Sequence, residues 1–216
     1  MKLRLSQKHN AAMTMFEVGL VVAVVLILAV IFLSRTASSY SPENVCIMNL
    51  KQTGLSFRIW EGDNNDIYPM GISVTNGGSM EQAATGNVVS TFLLMSNELS
   101  TPKILICPAD TSRFVADNFM GGLANSNISY FVGVDVTNEN NPQLIISGDS
   151  DWMLGGKSLK PGLISLWTND PVAWGNRHPK SEHIVLADGS VEVMTSANLR
   201  NQLKQSRLAT NRFALP

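Results

Sequence analysis

Residues 13–33, MTMFEVGLVVAVVLILAVIFL, form an apolar run broken by one charged side chain, Glu17. As a helix rising 1.5 Å per residue it would measure ~31 Å, the hydrocarbon thickness of a bilayer. Lys2, Arg4 and Lys8 precede the run with no acidic residue among them, and a single Arg35 follows it. By the positive-inside rule the first twelve residues stay in the cytoplasm and the chain beyond Ser34 crosses. The expected organisation is therefore a short leader (1–12), a single-pass helix (13–34) and an exported head (35–216).

The core of a secretory signal peptide is shorter and ends at a small-x-small cleavage site. Here the run is longer, and a carboxylate sits near its start. Burying it at mid-bilayer costs roughly 2.5–3.5 kcal/mol on insertion scales. Two readings of Glu17 follow: it snorkels to the cytoplasmic headgroups, or it meets a cationic partner in an assembly. Bulk composition narrows the function. The formal net charge is −1, with 16 Lys and Arg scattered along 216 residues. Nucleic-acid binding is not expected without a basic stripe.

Ala12-Met13-Thr14-Met15-Phe16-Glu17 behind a basic leader resembles the prepilin signal of the type IV pilin and type II secretion pseudopilin superfamily. Threonine at the second and glutamate at the fifth position after the cut match its pattern. Ala12 stands where glycine is usual. The resemblance implies cleavage between Ala12 and Met13 by a prepilin peptidase and N-methylation of Met13. It also implies pairing of Glu17 with the Met13 amine of a neighbouring subunit. The implied partners are that peptidase, copies of the chain or other pilins, the inner-membrane assembly machinery and the lipid bilayer. The implied location is the bacterial inner membrane with a periplasmic head, then a filament.

Further segments, in order, resemble a bacterial family of pilin-like proteins: Cys46-Ile47-Met48-Asn49-Leu50-Lys51-Gln52-Thr53-Gly54-Leu55, Asn97–Lys103, Cys107–Thr111, Asn127–Gly133, and His178 followed after nine residues by Asp188-Gly189, an H-x9-D-G signature. The implied fold is α+β and pilin-like, a long N-terminal helix packed on a small antiparallel sheet.

The residues themselves give a compatible plan. Val45, Met48, Gln52, Leu55 and Ile59 recur at helical spacing over 43–60 and mark the expected buried face. Ser41-Pro42-Glu43 is a start signal, with Pro at the first helical position. Expected strands are Ile104–Cys107, Ile128–Val134, Leu144–Ser147, Leu163–Leu166, Ile184–Ala187 and Ser190–Met194. Asp188-Gly189 joins the last two, and a type I′ turn is expected there. Asn87 is expected to cap one helix running through Leu99, and Ser196 a C-terminal one. The segments 71–87 and 135–142 read as surface loops.

His178 and Asp188 have the chemistry of an acid–base pair. The turn accounts for Asp188 without chemistry, and a structural hydrogen bond is the expected role of His178. The chain contains no nucleophile elbow, H-E-x-x-H or C-x-x-C. No cofactor is expected, although Asp63-Asn64-Asn65-Asp66 and Asp149-Ser150-Asp151 offer oxygen ligands of the kind calcium takes. Two states are open to Cys46 and Cys107: buried free thiols, or a bridge across about sixty residues worth ~4 kcal/mol in the entropic model. The expected function is structural, a filament subunit and no enzyme. Alternatives are a membrane-anchored envelope hydrolase built on His178 and Asp188, or a minor tip module that recognises a surface.

Overall fold

The computed structural model describes residues 14–36, 41–178 and 181–216. The chain divides into two compact units, Met1–Ser41 and Pro42–Pro216. The expected cleavage and methylation positions, Ala12 and Met13, lie outside the described residues, as does the 37–40 stretch between the two long helices.

The first unit holds α1 (Met15–Thr36). Its start is a capping box. The Thr14 hydroxyl accepts from the Glu17 N–H at 3.3 Å. The Glu17 carboxylate accepts from the Thr14 N–H at 2.8 Å and from its hydroxyl at 3.0 Å. Side chains from Met15 to Ile31 are exposed on every face. Among the described residues no helix is long and apolar enough to cross a membrane.

The second unit is mixed helix and antiparallel sheet, α+β as expected. α2 (Pro42–Asp63) comes first, and Pro42 opens it. Short helices α3 (Met80–Ala83), α4 (Val88–Leu94) and α5 (Ser96–Leu99) follow. Then come strands β1 (Tyr130–Gly133), β2 (Ile145–Asp149), β3 (Trp152–Leu154), β4 (Lys157–Ser158), β5 (Gly162–Trp167), β6 (Val172–Trp174), β7 (Glu182–Leu186) and β8 (Val191–Met194). Helix α6 (Ser196–Gln205) and strand β9 (Thr210–Leu215) end the chain. The main sheet has the order β5-β9-β1-β2-β7-β8, and β4-β3-β6 form a second, smaller sheet.

The central strands β1, β2 and β7 of the main sheet are buried on both faces, so they read as largely apolar runs rather than alternating ones. Side chains of alternate sign of pleat separate into two cores. Tyr130, Val132, Ile146, Val185 and Ala214 join the core beneath α2 and the short helices. Phe131, Ile145, Ile184, Leu186 and Phe213 join the other, with Trp152 and Trp174 of the small sheet and Leu199 and Leu203 of α6.

α2 turns a different face inward from the one its spacing suggested. Cys46, Leu50, Thr53, Gly54, Phe57 and Trp60 are buried, whereas Met48, Leu55 and Ile59 are 57%, 58% and 45% exposed. Both stripes have helical spacing. Close approach decides between them: a Cβ on Gly54 would lie 2.7 Å from Val185 Cγ1 of β7. Only the stripe containing a glycine lets the helix settle that near the sheet.

Four other expectations change. Residues 102–105 form a 3₁₀ turn in place of a strand, with Thr101 capping and Pro102 opening it. The helix begun at Asn87, whose side chain accepts from the Ser90 N–H, breaks at Met95 into α4 and α5. α6 is capped by Thr195, because the Ser196 hydroxyl accepts instead from the Trp174 N–H at 3.0 Å. The 71–87 segment is only partly surface, with Ser79 and Ala83 fully buried.

The β7–β8 hairpin is present, but its turn is not type I′. Gly189 lies at φ 84°, and Asp188 is absent from the positive-φ residues. The Gly189 N–H donates to the Leu186 carbonyl and the Leu186 N–H to the Ser190 carbonyl, both at 2.9 Å. That is a type I turn over Ala187-Asp188 followed by a left-handed glycine that forms a bulge.

Candidate functional site

The head concentrates its buried ionisable groups where β2 ends and β7 begins. Gly148 pairs with Ile184, so the next residue of β2, Asp149, meets His183 of β7. Asp149, Glu182 and His183 are all fully buried, and His178 is 4% exposed. One Asp149 oxygen accepts from the His183 N–H at 2.9 Å and lies 2.9 Å from His183 Nδ1. Its other oxygen is 3.5 Å from Arg177, whose guanidinium also reaches Asp110 at 2.9 Å. Burial works against the Asp149 carboxylate, yet the His183 bonds and Arg177 outweigh it and hold its pKa below the usual range.

His178 reaches the same place from the loop after β6. Its backbone N–H donates to a Glu182 carboxyl oxygen at 3.0 Å. Its Nε2 is 3.3 Å from Cys107 Sγ, 3.7 Å from Glu182 Oε2 and 3.8 Å from Asp149 Oδ2. The two imidazoles meet edge to face, 4.7 Å between centroids. Burial lowers the His178 pKa more than the Asp149 charge raises it. Burial, followed by the Asp149 charge, pushes Glu182 up to about 9. Glu43, in the first turn of α2, stands at the exposed side with its carboxylate 3.9 Å from His183 Nε2.

The expected site residues distribute unevenly. Cys46 and Cys107 are joined in a disulfide, Cα atoms 4.8 Å apart, which ties α2 to the segment after the 3₁₀ turn. His178 packs against that bridge, and its carboxylate neighbours are Asp149 and Glu182. Asp188 is exposed and accepts from the Ser190 N–H at 2.9 Å, so it serves the turn that Gly189 completes. Glu17 lies in the first unit, in its capping box.

The two oxygen-rich stretches are engaged locally. Asn65 and Asp66 both lie at φ 57° and end α2, with the Asp66 N–H returning to the Glu61 carbonyl at 3.1 Å. Asp149 belongs to the buried cluster, and Asp151 accepts from the Arg177 N–H at 3.0 Å. Sequence reasoning did not single out Glu182, His183 or Arg177. Their one signal is a Glu-His pair opening an otherwise apolar strand, Glu182-His183-Ile184-Val185-Leu186.

Comparison of the chain with protein-family models, with curated proteins and with solved structures returned no match.

Proposed function

We propose that the chain is a structural subunit of a pilus-like or pseudopilus-like filament, assembled through α1 and carrying Pro42–Pro216 as its exported head. The observation that carries this reading is α1 itself. It is apolar and exposed all round from Met15 to Ile31, with its single carboxylate in the opening capping box. A helix hydrophobic on every face needs an apolar surrounding, either lipid or packed copies of itself. The exposed stripe Met48, Leu55 and Ile59 on α2 adds a second apolar surface of the kind assemblies bury.

In this reading the subunit waits in the inner membrane, loses residues 1–12, and enters the filament when Glu17 exchanges its local contacts for the Met13 amine of a neighbour. The hydrolase alternative built on His178 and Asp188 has less support. Asp188 is exposed and accepts from the Ser190 N–H in the turn, while His178 is buried beside Asp149 and Glu182 and the Cys107 sulfur is held in the disulfide. Mass spectrometry of the mature N-terminus from the native host tests the processing step. The expected start is N-methylated Met13; an intact Met1, or a cut beyond Leu33, contradicts it.

A further inference from the structure

We propose that the buried cluster beside the disulfide is a binding site for one divalent transition-metal ion of the zinc class, held by Asp149, His178 and His183, with the Glu182 carboxyl group beside them.

One ligand atom from each of Asp149, His178 and His183 lies within 4.8 Å of the other two. Within this group Asp149 Oδ2 is 2.9 Å from His183 Nδ1 and 3.8 Å from His178 Nε2; Glu182 Oε2, outside it, is 3.7 Å from His178 Nε2. A tetrahedral ion with nitrogen and oxygen ligands at ~2.0–2.1 Å needs ligand atoms ~3.3 Å apart. Each of these three distances lies within about half an ångström of that spacing, and the remaining pair, His178 with His183, would close on it from a separation of up to 4.8 Å.

A second observation points the same way. Glu182 Oε2 and His183 Nε2 are buried without a hydrogen-bonding partner, a state that costs stability unless something supplies one. A cation on His178 Nε2 would face Glu182 Oε2, which is 3.7 Å from that nitrogen. Once His183 ligates through Nδ1, its proton resides on Nε2, facing the Glu43 carboxylate 3.9 Å away. A histidine ligand backed by an outer carboxylate is a recurring arrangement at metal sites.

The neighbouring Arg177 guanidinium is paired with Asp110 at 2.9 Å. With both cysteines in the disulfide the donors are nitrogen and oxygen, which suits zinc, copper or nickel. The ion would tie the base of α2, through Glu43, to the ends of β2 and β7.

The test uses full-length protein in detergent, without a histidine tag and with His9, the remaining histidine, changed to Gln. After chelator stripping, zinc alone is added by equilibrium dialysis and bound metal is counted per chain. The expected result is one zinc per chain, with affinity at least tenfold weaker in His183→Gln and in His178→Gln. No bound zinc, or equal binding by the variants, overturns the proposal. Should the variants fail to fold by circular dichroism, the spectrum of cobalt(II) added to the unsubstituted site decides. Nitrogen and oxygen ligation alone supports the site. A sulfur-to-metal charge-transfer band places the ion on Cys46, Cys107 and His178 and overturns it, as does the absence of any bound cobalt.

Discussion

Two residues show how packing sets what a position tolerates. Gly54 is one: an added Cβ would sit 2.7 Å from Val185 Cγ1 and 3.3 Å from the Gly189 carbonyl oxygen. Gly54→Ala gains ~1 kcal/mol of helix propensity and meets overpacking of ~1–3 kcal/mol. A net loss of about 1 kcal/mol is expected, read as a lower urea midpoint; a gain would contradict the close approach. Glu61 is the other. It is 3% exposed with Arg58 at 3.1 Å, and burial raises its pKa in the fold despite Tyr68 and Arg58. The folded state therefore holds the proton to higher pH than the unfolded chain does, and stability attached to it is lost as pH rises above ~4.5 through the folded pKa. The stability of Glu61→Gln relative to the unsubstituted protein should increase over that interval and then level off; a pH-independent difference refutes it. Sequence legibility at this scale followed chemistry that stays local. Asp188-Gly189 announced a turn because turn preference resides in the two residues themselves. The partners of His178 did not show, because Asp149 and Glu182 reach it only through the pairing of β2 with β7.

Among elements, α2 carries most of the structure's consequences. Its helical period was legible and its buried face was not, since Met48, Leu55 and Ile59 match the period as well as Leu50, Phe57 and Trp60. Periodicity identifies a helix, but choosing between two apolar stripes requires knowing where the sheet approaches. Central strands β1, β2 and β7 were recognisable from their apolar runs. By contrast β9 escaped notice because Asn211 and Arg212 interrupt it, although it pairs with β1 and β5. The same helix is fastened by the Cys46–Cys107 bridge, whose cysteines are 61 positions apart. Cys107→Ser is expected to cost ~4 kcal/mol by the loop-entropy model, measured as a shift in the unfolding midpoint under oxidising conditions. Equal midpoints for the variant and the unsubstituted protein would show that the bridge constrains nothing.

For the whole molecule, the division at Ser41/Pro42 makes a direct forecast. A chain starting at Pro42 keeps both cores and should be folded, soluble and monomeric by size-exclusion chromatography; aggregation would show that the head is not self-contained. The α+β class was legible from helix and strand patterns, whereas the second sheet was not, since β3, β4 and β6 are only two or three residues long. The central claim is that Glu17 acts between subunits, and its capping box supplies the means to test it. Gln at the third helical position serves a capping box as Glu does, so Glu17→Gln keeps the local cap and removes only the charge. If the carboxylate merely starts α1, the variant forms filaments normally. If it neutralises the Met13 amine of a neighbour, its loss leaves a buried positive charge, a cost of ~3–5 kcal/mol. The measurement is electron microscopy of sheared filaments from cells carrying Glu17→Gln, with immunoblots of the membrane fraction as control. The account predicts normal membrane levels and normal leader cleavage with few or no filaments; filaments in unsubstituted yield would contradict it.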